Sequence, residues 1–199
     1  MNSQPTLRRR ALIAGGVALA AALSDQASKI WALGALDDGQ RVPLIGKWIS
    51  LVLIHNSGAA FSLGSSATWI FTILSVIVLV ALVAYVKRGC SAATAAAVGL
   101  LGGGAVGNLV DRLIRPPGIG VGHVVDFINY NDYFIGNVAD IWIVLAALWL
   151  AVIAARTPSP VPQGQATSDP SREPQAPPSV KAGFSSSTLP QDPADEHNA

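Results

Sequence analysis

The residues best suited to chemistry in this chain are two aspartates. Asp126 lies inside the apolar run Val124-Val125-Asp126-Phe127-Ile128, and Asp140 lies between Val138-Ala139 and Ile141-Trp142. Neither has an obvious basic neighbour in sequence. Two unpaired carboxyl groups in apolar surroundings have their pKa values forced apart, which leaves one protonated and one ionised. Such a pair can hydrolyse an amide without a nucleophilic serine or cysteine. The ionised member takes a proton from water, the protonated member polarises the carbonyl, and the roles exchange as the tetrahedral intermediate collapses.

Other polar residues fall beside apolar segments, where ionisable groups are costly and are functional candidates by default. They are Asp25 and Lys29, then Asn108, Asp111 and Arg112, with Asn56 and Asn137 in the connecting loops. Asp25 and Lys29 are four apart with the acid first, a spacing that supports a helix and lets the charges neutralise each other. Asn108 and Arg112 share a helix face in the same way, so these residues can equally be read as latches closing one end of a bundle. A metal site is a competing reading of the same region, since His55 and His123 lie on the same side and His123-x-x-Asp126 has ligand-like spacing. There is no HExxH and no Cys or Glu to complete a set, so neither a metal nor any other cofactor is expected.

The elements that must position these residues are membrane helices. Residues 11–33, 67–86, 92–110 and 138–155 are predominantly apolar, the first interrupted only at 24–29. Each approaches the roughly 20 residues needed to span a bilayer. Arg8, Arg9 and Arg10 precede the first, Lys87 and Arg88 lie between the second and third, and Arg156 follows the fourth. Placing these on the inside puts both termini in the cytoplasm and the loops 34–66 and 111–137 outside. Every candidate polar residue then sits near the outer interface, and Trp31, Trp48, Trp69 and Trp142 fall at the same level as an aromatic belt. Residues 48–54 are expected as a strand or hairpin there, with Pro43 and Gly46 as breakers before it, and residues 121–128 as a second short strand. The row Gly99, Gly103, Gly107 marks a close-packing face of the third helix.

Composition agrees with lipid as the solvent: of 199 residues 51% are hydrophobic and 13% charged, with mean hydropathy +0.45. A soluble domain carries about 25% charged residues. The net charge of +1 gives no electrostatic basis for a nucleic-acid partner. The single cysteine, Cys90, excludes a disulfide framework; it follows Lys-Arg-Gly in mid-chain and is expected as a plain cytoplasmic-side thiol. The N-terminus has a second reading as a removable signal sequence, with a basic n-region, an apolar stretch and an A-x-A at 20–22. Three further spans favour a retained helix. Residues 157–199 hold nine of the 13 prolines and are expected to be a disordered cytoplasmic tail. The expected organisation is a cytoplasmic N-terminus over 1–10, a membrane domain over 11–156 and that tail. The expected fold class is mostly α: a four-transmembrane-helix bundle with small extracytoplasmic β-rich loops.

Five blocks in order carry a family resemblance: Asp25-Gln26-x-x-Lys29, Asn56-Ser57-Gly58-Ala59-Ala60-Phe61-Ser62, the stretch from Gly103 to Arg112 ending Gly107-Asn108-Leu109-Val110-Asp111-Arg112, Val124-Val125-Asp126-Phe127-Ile128, and Asn137-Val138-Ala139-Asp140. With them the chain resembles bacterial lipoprotein signal peptidase (signal peptidase II), a four-helix inner-membrane aspartic protease. The resemblance implies that Asp126 and Asp140 are the catalytic pair. It implies that Asn56, Asn108, Arg112 and Asn137 surround the pair and the substrate, and that Asp25, Lys29 and Asp111 support the site, with Gly58 and Ala139 inside the matching blocks. It further implies a substrate that is a prolipoprotein already carrying diacylglyceryl on its cysteine, cut just before that cysteine within membrane lipid. The chain departs at Gly136, where the family usually has Phe; either Phe134 fills that space from a shifted backbone or the pocket is looser. The oligomeric state stays open, with a monomer a plausible form. A small ion- or proton-coupled transporter is the alternative function, but it calls for midplane charges and internal repeats. A non-enzymatic scaffold built on the glycine row is a third, and it leaves Asp126 and Asp140 without a purpose.

Overall fold

The computed structural model describes residues 5–37, 39–58 and 68–156. The expected tail at 157–199, and Ala59, Ala60, Phe61 and Ser62 of the second block, lie outside the described residues. Four helices are long and apolar enough to cross a membrane: α1 (Leu7–Ala35), α2 (Thr68–Arg88), α3 (Ala92–Ile114) and α4 (Val138–Arg156). Each lies over its predicted apolar run. α1 continues unbroken through its polar stretch because Ser24 and Ser28 hydroxyls donate back to the carbonyls of Ala21 and Asp25, and because Lys29 pairs with Asp25 one turn earlier. Residues 7–10, expected in a cytoplasmic N-terminus, form its first turn, capped by Thr6.

α3 is the central helix, half buried, while α1, α2 and α4 present most of their apolar residues outward. Its glycines explain how. A Cβ at Gly99 or Gly103 would overlap the α1 backbone at Ala14 and Ala18, and one at Gly104 would overlap the carbonyl of Ala139 in α4. Small residues let helix backbones approach closely where lipid supplies no hydrophobic driving force. The expected packing face is therefore present, and Gly107 extends it to a different purpose: a Cβ there would overlap the Asp25 carboxylate.

At one end of the bundle the connections form a four-stranded antiparallel sheet in the order β1 (Val42–Ile45), β2 (Ile49–Asn56), β3 (Val124–Tyr130), β4 (Phe134–Gly136). Leu51, Leu53, Val125 and Phe127 from the sheet pack with Ala32 and Leu36 at the end of α1, so the sheet is seated on the helices by a small apolar core. Two expectations need correction. Pro43 is not a breaker but sits within β1, an edge strand where a missing N–H costs nothing. The strand expected over 121–128 starts only at Val124. Residues 118–123 instead turn back on the end of α3, with Gly122 N–H on the Arg112 carbonyl and His123 N–H on that of Pro116. A side chain at Gly122 would overlap three carbonyls, so glycine is required for this approach. The three-residue β4 was not anticipated.

Candidate active site

The end of the bundle that carries the sheet brings together all the polar candidates, in two connected layers. The deeper layer is ionic. Lys29 is fully buried and its Nζ lies 2.8 Å from Asp25 Oδ2, 2.8 Å from Asp111 Oδ2 and 2.9 Å from Asn108 Oδ1. The other oxygen of Asp111 accepts from Arg115 Nε at 2.6 Å. Asp25 Oδ1 accepts the backbone N–H of Ala139 at 2.8 Å, which gives a partner to one of the unpaired donors in the first turn of α4. Gln26 Nε2 donates to the Gly107 carbonyl at 3.0 Å and at 3.3 Å to both acids. The buried carboxylates and cations thus satisfy one another, as burial demands.

The upper layer holds Asp126 and Asp140, and here the partners are amides. Asp126 Oδ1 accepts from Asn137 Nδ2 at 2.5 Å and its Oδ2 from Asn56 Nδ2 at 2.8 Å. Asp140 Oδ1 accepts from Asn108 Nδ2 at 2.9 Å, and its Oδ2 from the Asn137 backbone N–H at 3.1 Å. The orientation of each amide is set from behind. Lys29 and Asn137 Nδ2 both donate to Asn108 Oδ1, which turns the Asn108 amino group toward Asp140. Gly58 N–H donates to Asn56 Oδ1 at 2.7 Å, which turns the Asn56 amino group toward Asp126. Gly58 can do this because its φ is +95° and the Phe71 ring covers the space a Cβ would take. A register shift in β2 between Leu51 and Ile54 brings Ile54 opposite Asp126 and Asn56 opposite Val124.

Asn137 joins the two aspartates. It is the N-cap of α4: its Oδ1 accepts the Asp140 N–H at 3.1 Å while Asp140 Oδ2 accepts the Asn137 N–H, a reciprocal capping box. The same side chain reaches Asp126. One residue therefore fixes both carboxyl groups and the start of the helix that carries one of them. Asp126 is only 2% exposed, and burial, opposed by its two amide donors but assisted by the charge of Asp140, pushes its carboxyl up to about 6. Asp140 stands in the first turn of α4.

Arg112 takes no part in the ionic layer, where Arg115 is the arginine that pairs with Asp111. Among the described residues Arg112 forms no ion pair; its guanidinium lies 5.1 Å over the Phe71 ring, within electrostatic reach of Asp126 and Asp140, and its buried Nη1 has no hydrogen-bond partner. His55 and His123 stand apart from the aspartates and line, with Arg115, Pro116 and Pro117, a separate cavity of about 300 Å³. At Gly136 the Phe134 ring lies alongside: a Cβ would stand 3.1 Å from that ring and 2.9 Å from Asp140 Oδ2. Phe134 in turn stacks on Tyr130 at 4.5 Å. Gln26, Arg115, Phe71 and Tyr130 are site residues that the sequence alone did not single out. Only the position of Gln26 within the first block hinted at a role.

A family model described as signal peptidase (SPase) II matches residues 17–156. The chain belongs to the signal peptidase II family. Proteins named lipoprotein signal peptidase are similar to it along most of their length. That of Bifidobacterium longum is 40% identical over 152 residues, covering 76% of this chain and 83% of the relative. That of Streptomyces coelicolor is 38% identical over 149 residues, covering 75% and 73%. A solved structure described as a bacterial membrane enzyme, obtained by the in meso method, superposes with a TM-score of 0.65 at 26% identity, covering 79% of this chain and 99% of that one. This signal peptidase II is thus a membrane protease, and its matched segment contains every carboxylate and amide of both layers.

Proposed function

We propose that this peptidase cleaves prolipoproteins just before a diacylglyceryl-modified cysteine, with Asp126 and Asp140 activating water directly. The sharing of Asn137 between the two carboxyl groups is the observation that carries this reading. Asp140, at a helix N-terminus, is the base, and Asp126, within an apolar sheet, is the acid.

Asp140 removes a proton from water as the oxygen attacks the scissile carbonyl carbon, and Asp126 delivers its proton to the carbonyl oxygen. The neutral tetrahedral intermediate then receives the Asp140 proton on nitrogen and returns a hydroxyl proton to Asp126. The C–N bond breaks, and both carboxyl groups regain their starting states. Arg112, with an uncommitted Nη1 beside the pair, contacts the substrate carbonyl next to the cleaved bond. No cofactor enters any step.

The excess of Lys and Arg at the opposite helix ends supports an orientation with both termini cytoplasmic and the aspartates at the outer interface of the bacterial inner membrane. A lipidated peptide stays in the bilayer and presents its scissile bond at that level. The reading also keeps residues 157–199 outside the catalytic unit. The test is incubation of the purified enzyme with matched diacylglyceryl-modified and unmodified precursors. Cleavage of the modified one alone is expected, unaffected by chelators. Equal cleavage of both removes the lipid requirement, and cleavage of neither removes the substrate assignment.

A further inference from the structure

The end of the bundle away from the aspartates has a feature that peptide cleavage does not use. α1, α2 and α3 line a crevice of about 410 Å³ there, a size within the range of small-molecule sites. Ala14 and Gly15 of α1, Leu79 and Val83 of α2, and Val98 and Gly102 of α3 form its apolar walls, with Lys87 at its edge. Arg10 stands one turn from Ala14, and its buried Nε has no hydrogen-bond partner among the described residues. Among the described residues this end carries only positive charge: no Asp or Glu occurs in residues 5–24, 69–110 or 141–156, which hold Arg8, Arg9, Arg10, Lys87, Arg88 and Arg156.

An apolar slot with a wholly basic mouth matches an amphiphile with an anionic head. We infer that the crevice binds an anionic phospholipid of the leaflet at this end, with one acyl chain along the α1–α2–α3 walls and the phosphate on Arg10 and Lys87. Basic pockets between membrane helices bind anionic headgroups through the same pairing. The other candidate occupant is a signal peptide, whose n-region is positively charged and would meet like charge at this mouth. The site is separate from the carboxylates and does not depend on their chemistry.

Two basic contacts give a roughly 10- to 30-fold preference for an anionic over a zwitterionic head. The full chain, placed in nanodiscs of equal phosphatidylglycerol and phosphatidylcholine, is read by native mass spectrometry for retained lipid. The wild type is expected to keep one phosphatidylglycerol with that preference. Arg10→Gln combined with Lys87→Gln removes the preference. Gly15→Leu, at a position where a Cβ meets nothing within 4 Å, fills the slot and removes retention of either lipid. Thermal melts of each variant check that it is folded, and precursor cleavage stays within a few-fold of wild type. Equal retention of both lipids by the wild type overturns the site. Unchanged lipid retention in Gly15→Leu with a raised KM for precursor assigns the crevice to the signal peptide instead.

Discussion

Two pairs of aspartates occupy the same end of this bundle and are held by opposite means. Asp25 and Asp111 share the ammonium group of Lys29, and Asp111 takes Arg115 as well. Among the described residues Asp126 and Asp140 accept only amide N–H groups, from Asn56, Asn108 and Asn137. A buried ammonium at 2.8 Å gives each carboxylate a fixed ionic partner. Amide donors fix a carboxyl group in space and leave it able to gain or lose a proton. The first pair is suited to be framework and the second to do chemistry, and the frame positions the chemistry through Asn108 and the Ala139 N–H.

The sharpest way to break this contrast is to neutralise one acid at a time. Asp126→Asn or Asp140→Asn should each lower kcat/KM on lipidated precursor by at least about 10³-fold with folding and membrane insertion intact. Turnover retained in either variant ends the assignment of that pair. On the framework side, Lys29→Met leaves two buried carboxylates without their shared cation and should destabilise the protein by about 3–5 kcal/mol, read as a lowered Tm. A near-normal Tm would mean that the ionic layer is not structural.

Asn137→Ala joins the two sides. It should cost about 1 kcal/mol through the lost cap but about 10²-fold in activity, because both carboxyl groups lose their common positioning partner. Parallel losses of stability and activity would make Asn137 a cap and nothing more. The most gradual effect is on pH. The Asp126 carboxyl titrates near 6 in the folded protein against an ordinary value of 3.8, so the native state binds the extra proton between these values. Its contribution to stability is therefore greatest below about pH 4 and declines as pH rises toward 6. Activity that needs this proton should fall above about pH 6, approaching tenfold per unit. Melting and kcat/KM profiles between pH 4 and 8 check both slopes, and a flat activity profile excludes Asp126 as the acid.

Much of the site was legible before any coordinates because lipid punishes stray charge. An aspartate within Val-Val-Asp-Phe-Ile, without a cation nearby in sequence, stands out as a candidate for proton transfer. The Asn137-x-x-Asp140 spacing of a capping box was also open to inspection, though its second use as a bridge to Asp126 was not. Arg112 and Arg115 shared one helix end, and only their three-dimensional directions showed that Arg115 pairs with Asp111 while Arg112 turns to Phe71. β4 and the β2 register shift were hidden because short strands are specified by their neighbours more than by their own residues.

What the linear order of residues determined by itself was the set of four apolar spans, the single level at which polar residues interrupt them, and the two acids lacking a local partner. These follow from hydrophobic length and the cost of charge in lipid, which act along the chain. The tertiary structure alone decided that Lys29 serves three acceptors from α1 and α3, that Asn137 holds both Asp126 and Asp140, and that Phe134 lies alongside Gly136. Hydrogen bonds and close contacts depend on distances between residues far apart in sequence, and only the packing of helices and sheet sets those distances.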